Sequence, residues 1–405
     1  MTFKNSKQSY ISINECDICS SKNIKKIFSL KKFPLTGIFS KKKNTVKNYD
    51  NYFFICSNCN HGQLKNQISA KYLYKETYTH RTSMSPQAIN INQDFYKKLK
   101  SIIKNRNFNC IFEVGCNDLL LAKKIRKHAK KIVGIDPIFS DEIKKIDKKI
   151  SVTGGFINEI NSLNKIKKMV GNNKKIDLVI SSHTFEHVDK IKESLQKIID
   201  IVDDECLFVI ETPSLNSIVK NGHYDQIFHQ HLHYVTERSV IELCNQLNCQ
   251  FVEFKYNYQI WGGNVMYIFK KTKKKIDNKK FISNYKFDLN KIRKDFVKFQ
   301  KNCVEKVKFV RSQHKNIFAF GAAQMLPVIA YHSKSDFSFF KELYDDNKDR
   351  IGRYLPLINK KIKKTNEKKL KDAFVLITAN ETCRSIIKRL YKINPLRIIV
   401  WHSDF

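Results

Sequence analysis

No apolar run in the chain approaches the roughly 18 residues needed to cross a bilayer, so no segment reads as a membrane-spanning helix. Met1 to Glu15 lacks the apolar core of a secretory signal, and the chain is expected to stay in the cytoplasm. Arginine is scarce among the 75 basic residues, although its planar fork is the better phosphate reader. A strip of interleaved aromatic and basic side chains, the usual platform for single-stranded nucleic acid, is also missing. Both absences weigh against a nucleic-acid partner in spite of the formal net charge of +37. The lysines are spread through every segment together with Asn, Ile, Phe and Tyr, as in proteins from AT-rich genomes, and read as solvated surface. There is no internal repeat and no low-complexity tail.

What is present suits a globular protein of two or three units. The 405 residues exceed one ordinary domain, and 42% hydrophobic with 12% aromatic residues can build a sizeable core. Eleven cysteines would permit disulfides in a secreted chain, but four of them form two CxxC pairs and the rest are scattered. Cys16-x-x-Cys19 and Cys56-x-x-Cys59 can each wrap one side of a tetrahedral ion. Four thiolates with no open position suit a structural Zn2+ that helps fold a segment too small to hold a core alone. Residues 1–75 therefore read as a zinc ribbon.

Helical spacing from Ala88 to Asn105 leads into an alternation of short apolar strands and helices, the pattern of a parallel sheet with crossover helices. Strands are expected at Cys110 to Val114, Lys131 to Ile135, Ile176 to Ser181 and Cys206 to Glu211. A helix is expected from Leu119 to Ala129, and an antiparallel pair at Cys249 to Tyr256 and Asn264 to Phe269. Lys270 to Lys315 is charged, free of Gly and Pro, and helically spaced at Phe296, Phe299 and Val304. A second βα rhythm follows at Asn316 to Phe320, Glu342 to Tyr344 and Ala373 to Thr378. The fold class is α/β: a zinc-binding unit over 1–75, a Rossmann-like unit over 76–270, a helical linker over 271–315 and a further Rossmann-like α/β unit over 316–405.

The run Phe112-Glu113-Val114-Gly115-Cys116-Asn117-Asp118 takes a strand into a tight turn before a helix, where backbone N–H groups can meet a polar ligand end. The next strand ends in Gly134-Ile135-Asp136, and a carboxylate at that spacing can accept both ribose hydroxyls of a nucleoside. A generic turn with a solvated carboxylate is the bland alternative. A third strand runs out into Ser182-His183-Thr184-Phe185-Glu186-His187-Val188.

Together these motifs resemble the class I SAM-dependent methyltransferases. With the double knuckle and the C-terminal βα unit, the chain is similar to the zinc-binding sugar C-methyltransferases, which methylate carbon 3 of 4-keto-deoxysugars carried on a nucleoside diphosphate. The resemblance implies S-adenosylmethionine (SAM) held by Glu113, Gly115, Asn117, Asp118, Asp136, His183 and Phe185. It also implies a nucleoside-diphosphate sugar as substrate, in a monomer or homodimer. The segment from Tyr78 through His80 to Ser85 is similar to the family's closing segment, and Tyr224 to Tyr234 is similar to its Asp-x-Ile-Tyr-x-Glu-His run. That match makes His231 the implied base, assisted by Gln230, with Tyr78 or His80 steadying charge on the acceptor oxygen. Three departures stand out: Leu119 follows Asn117-Asp118 where the family carries Gly, Gln230 replaces its Glu, and Phe228 replaces its Tyr. A Gln can position an imidazole but cannot stabilise an imidazolium as a carboxylate does.

If extended, the stretch would put His229, His231 and His233 on one face, a possible metal face, with an acid/base role for at least one of them preferred; His183 and His187 would meet on a helix, where pocket lining is preferred over metal binding. Trp261-Gly262-Gly263-Asn264 is similar to the family's glycine turn near the substrate. Gly321 to Met325, Asp345 to Asn347 and Gly352 to Pro356 are similar to its C-terminal loops, where Arg353 or Lys348 would supply charge to a diphosphate. Oxygen or nitrogen methylation of another sugar or small molecule, and a basic zinc-ribbon protein that binds nucleic acid, are the competing readings.

Overall fold

The computed structural model describes residues 10–43, 45–73, 81–171, 175–260, 262–274, 276–282, 285–313 and 316–401. Its centre is an eight-stranded sheet in the order Cys249–Asn257, Asn264–Lys271, Leu207–Pro213, Leu178–Ser182, Phe108–Val114, Ala129–Ile135, Ile150–Thr153, Lys144–Lys145. Leu207–Pro213, Leu178–Ser182, Phe108–Val114, Ala129–Ile135 and Ile150–Thr153 run parallel, and Asn264–Lys271 is reversed. Leu178–Ser182 and Leu207–Pro213 are almost wholly buried, as expected of parallel strands covered by helices on both faces. This is the Rossmann-like class I arrangement. Its order reverses between Phe108–Val114 and Leu178–Ser182, which opens a crevice beyond their carboxyl ends.

One expected element is shorter. The helix that starts at Leu120 stops at Ile125, a 3-10 turn covers Arg126–His128, and Ala129 opens the next strand. Leu121, Ile125 and Ala129 keep helical spacing, but Ala129 is buried as a strand residue, so the period runs on past the break.

The zinc-binding segment forms a four-stranded antiparallel sheet in which Ile24–Phe33, Tyr49–Cys56 and Gly62–Leu64 are joined by His233–Tyr234. Tyr49–Cys56 buries every second residue, the signature of a strand with one covered face. The zinc-binding segment is thus sheet-continuous with the stretch that carries His231.

Among the described residues, the segment expected to link the units holds a short 3-10 turn, Lys279–Phe281, and one long helix, Leu289–Gln313, burying Ile292, Phe296, Phe299, Cys303, Val307 and Val310. Cys303, not Val304, continues the apolar stripe. Phe296 stacks on Phe28 with ring centroids 3.7 Å apart, so the helix packs on the zinc-binding sheet. The C-terminal unit is a parallel five-stranded sheet ordered Ile362–Lys364, Phe340–Asp345, Ile317–Phe320, Phe374–Ile377, Arg397–Val400. Its first and last strands were not expected from sequence. No helix among the described residues is long and apolar enough to cross a membrane.

Candidate active site and metal centre

Each cysteine pair sits in a knuckle. Ser20 N donates to Cys16 O and Asn60 N donates to Cys56 O, both at 2.9 Å, and Ser20 and Asn60 take the positive φ that turns the chain back. The four thiols converge: Cys16 Sγ lies 3.6 Å from Cys59 Sγ, and Cys19 Sγ lies 3.6 Å from Cys56 Sγ. Four sulfurs at about 2.3 Å from a central Zn2+ would stand about 3.8 Å apart, so the set fits a tetrahedral zinc, and disulfide spacing is far shorter.

The strand-end crevice opens into a cavity of about 1430 Å³. Gly115, Asn117 and Asp136 line it, as expected of a cofactor loop. Gly115 has φ +75, and a Cβ there would stand 1.9 Å from Thr184 Oγ1. Asp136 accepts from Asn117 N at 2.8 Å and Ile138 N at 3.0 Å, which ties the two strand ends together. Burial raises its pKa, while these N–H groups and Arg81 oppose that. Such a cradle fits the SAM nucleoside: an amide-lined turn too tight for a side chain, beside a carboxylate with lone pairs to spare.

Other expected cofactor residues act differently. Glu113 is buried below the loop and absent from the cavity wall; burial, then Asp136, pushes its pKa well up. Asp118 accepts from Ser83 N at 2.9 Å, and Asn117 Oδ1 accepts from Thr82 N at 3.0 Å, so this pair straps the Thr82–Met84 turn over the loop. Phe185 is fully buried in the hydrophobic core, not in the cavity, because Thr184 and His187 turn outward on either side of it. Leu119 adopts the left-handed conformation, φ 68, that glycine would favour, and its buried side chain offsets the strain. Tyr78 and His80 lie outside the described residues.

The far wall is built from His183, His187 and His231, with Glu186 buried behind them. Asn264 Nδ2 donates to His183 Nε2 at 2.6 Å, so His183 Nδ1 donates to Glu186 Oε1 at 3.1 Å. His183 is held with φ 54, a conformation that costs a non-glycine residue and persists where neighbours enforce it. Asn264 follows the glycine turn singled out in sequence, and that turn sets it against His183. Burial opposes ionisation of Glu186, but the His183 hydrogen bond and the surrounding imidazoles overcome it and hold its pKa at about 2. Burial, then His187, pushes the His231 pKa well below its usual value, leaving a neutral ring.

Gln230 does not position His231. Its side chain makes two hydrogen bonds to Thr36 of the zinc-binding segment: it accepts from Oγ1, and Nε2 donates to the carbonyl at 2.8 Å. Its main-chain oxygen instead accepts from His187 Nδ1 at 2.7 Å. Phe228 leans over His231 with ring centroids 4.1 Å apart. His229, His231 and His233 do not share a face, because the backbone turns before His233. His229 bonds Asn51 and Phe33 O, and His233 bonds His61 and Val188 O. Both are structural. The residue that sequence reasoning passed over is Glu186, buried behind this wall, although it stands inside the Ser182 to Val188 motif and at i, i+3 from His183.

Gln324 and Met325 bring the C-terminal unit to the cavity. There Asp345 accepts from Ala322 N at 2.7 Å and Asn347 N at 2.8 Å, with Arg350 beside it at 3.4 Å. Arg353, expected to offer charge to a diphosphate, donates to Phe39 O at 3.1 Å and so ties this unit to the zinc-binding segment.

Glu211, fully buried beside His183, offers a stability test. Burial raises its pKa to about 7. An acid whose folded pKa is raised costs nothing below pH 4.5; the cost grows as pH climbs to 7 and is constant above, on the order of 3 kcal/mol. Glu211→Gln is expected to melt higher than the parent at pH 8 and equally at pH 4.5; equal melting at both would show that Glu211 carries no such penalty.

Residues 87–253 match the family described as "Methyltransferase domain", and residues 16–74 match the family described as "Putative zinc binding domain". A stretch of 157 residues is 24% identical to the C-methyltransferase NovU of Streptomyces niveus, covering 38% of this chain and 36% of that protein. The chain thus spans little more than a third of that relative's length. Among solved structures, the N-methyltransferase NodS of Bradyrhizobium japonicum with S-adenosyl-L-homocysteine is 12% identical, TM-score 0.32, covering 46% of this chain and 88% of that one. The magnesium protoporphyrin IX methyltransferase of Synechocystis is 8% identical, TM-score 0.34, covering 46% and 85%. The domain matches, the strand order, the glycine loop with its acidic partner and the convergent thiols agree: this chain carries a class I SAM-dependent methyltransferase domain joined to an N-terminal zinc-binding domain.

Proposed function

We propose that this protein transfers a methyl group from SAM to a carbon of a nucleotide-linked keto-deoxysugar, in the making of surface-polysaccharide or natural-product sugars in the cytoplasm. The observation that carries the reading is one continuous cavity, which runs from the Gly115–Asp136 cradle past His183, His187 and His231 to Gln324 and Met325. Its volume of about 1430 Å³ exceeds what one small ligand fills, typically about 300–1,000 Å³, and leaves room for a bulky acceptor beside the cofactor. The name of the Streptomyces relative, a C-methyltransferase, supports carbon as the acceptor atom.

In this reading residues 1–75 bind zinc, 76–270 perform the transfer, 271–315 link, and 316–405 close the cavity on the nucleotide side. SAM, when bound, supplies an electrophilic methyl and leaves as S-adenosylhomocysteine with the electron pair of the broken S–C bond. Asp136 would orient the ribose, and the backbone after Gly115 would hold the nucleoside end. The acceptor carbon gives up a proton as it takes the methyl; the neutral ring of His231 would accept that proton, and His187 would face the charge gathering on the neighbouring oxygen. The zinc lies in its own cysteine knot and serves the fold.

Mass spectrometry of methyl transfer to nucleoside-diphosphate sugars, with and without a keto group, tests this. The keto sugars are expected to gain one methyl and to exchange the adjacent carbon-bound hydrogen with deuterated solvent. His231→Ala is expected to lose at least about 100-fold in kcat. Absence of SAM binding by the zinc-loaded protein would sink the reading, and a methylated product without carbon exchange would move the methyl to oxygen.

A further inference from the structure

Glu186, His187 and His231 each offer one ligand atom, and these atoms lie within 4.8 Å of one another. We propose that the three residues form a second metal site, for a divalent cation such as Mn2+, inside the methyl-transfer cavity. The hydrogen bonding around them sets which atoms face the gap. His187 Nδ1 must donate to the Gln230 carbonyl, so a neutral His187 turns the lone pair of Nε2 to Glu186 Oε1, 4.0 Å away. The buried His231 Nδ1 has no hydrogen-bond partner. Glu186 Oε1 takes the His183 N–H, and its buried Oε2 is unpartnered.

Two imidazole nitrogens and a carboxylate oxygen therefore face one another. Burying such a set without a counter-charge is costly. The 4.0 Å separation is too long for a hydrogen bond. Two ligand atoms about 2.1 Å from a shared cation stand about 3.0–3.4 Å apart at octahedral to tetrahedral angles, so this pair would close by about 0.6–1 Å on binding. His187 gives its other nitrogen to a main-chain carbonyl, and the carboxylate is braced by His183, the outer support that metal ligands typically carry. Two His and one carboxylate with open positions suit a cation that also takes a substrate oxygen. The site stands on geometry; its role rests on the methyl-transfer reading, where a cation would hold the acceptor oxygen beside the methylated carbon and draw off its charge, so that the carbon's proton passes to solvent water and not to His231.

The test uses the full-length, zinc-replete protein cleared of loosely held metal and titrated with MnCl2, with free Mn2+ followed by electron paramagnetic resonance. One Mn2+ per chain beyond the zinc is expected. Glu186→Gln and His187→Ala are each expected to weaken it at least about 10-fold, with SAM affinity by calorimetry reporting that the fold is kept. No extra Mn2+ in the parent, or equal uptake by SAM-binding variants, overturns the site. Mn2+ uptake without methyl transfer would leave the site standing and remove its role, whereas transfer with no uptake would remove the site and leave the function.

Discussion

Cys56→Ser, or removal of zinc by a strong chelator, is expected to lower the melting temperature by at least about 10 °C and to abolish methyl transfer together with it. Structural zinc contributes on the order of 10 kcal/mol to small domains that cannot otherwise fold. Here the consequence would spread. Cys56 ends the strand Tyr49–Cys56, which pairs with Gly62–Leu64, which in turn pairs with His233–Tyr234 just beyond His231. Thr36 holds Gln230, whose carbonyl orients His187. Arg353 reaches back from the C-terminal sheet to Phe39 O. Loss of the knot therefore loosens the cavity wall and the closing unit at once. Thermal denaturation with zinc quantified in parallel checks this; an apo protein that melts and turns over like the parent would show the cysteine knot to be dispensable.

The same connectivity explains which parts of the site were legible in sequence. The thiol pairs and the Gly115–Asp136 partnership depend on local turns, and local spacing reports them well. The direction of the Gln230 side chain is set by Thr36, 194 residues away, and no spacing rule reaches that far. Glu186 was overlooked because the carboxylate that supports this wall arrives from the loop after Leu178–Ser182, not from the position beside His231 where the resemblance placed it. Alternation suggested that His229, His231 and His233 share a face, but alternation only holds in a strand, and here the strand covers His233–Tyr234 alone. Leu119 shows the converse: sequence flagged a lost glycine, and the chain keeps the glycine-like backbone while burying the leucine.

Gly115→Ala is expected to cut SAM affinity at least about 100-fold while leaving zinc content and far-ultraviolet circular dichroism unchanged. The left-handed φ of +75 itself costs alanine about 1–2 kcal/mol. Sterics add more, because the new Cβ would lie 1.9 Å from Thr184 Oγ1 and 2.8 Å from both Thr184 Cβ and Cγ2. Rotating the threonine about its Cα–Cβ bond exchanges one clash for another and leaves its Cβ in place. The loop must move instead, and with it the Asn117 N–H that Asp136 accepts and the Asn117 and Asp118 side chains that hold Thr82 and Ser83. A displacement near 1 Å at a positioning loop is enough to cost about 100-fold. Adding Thr184→Gly to Gly115→Ala removes the whole clash but not the strained φ, so the double variant is expected to recover part of the affinity. Calorimetry with SAM decides: a Gly115→Ala protein that binds as tightly as the parent would mean that the cofactor does not lie against this turn.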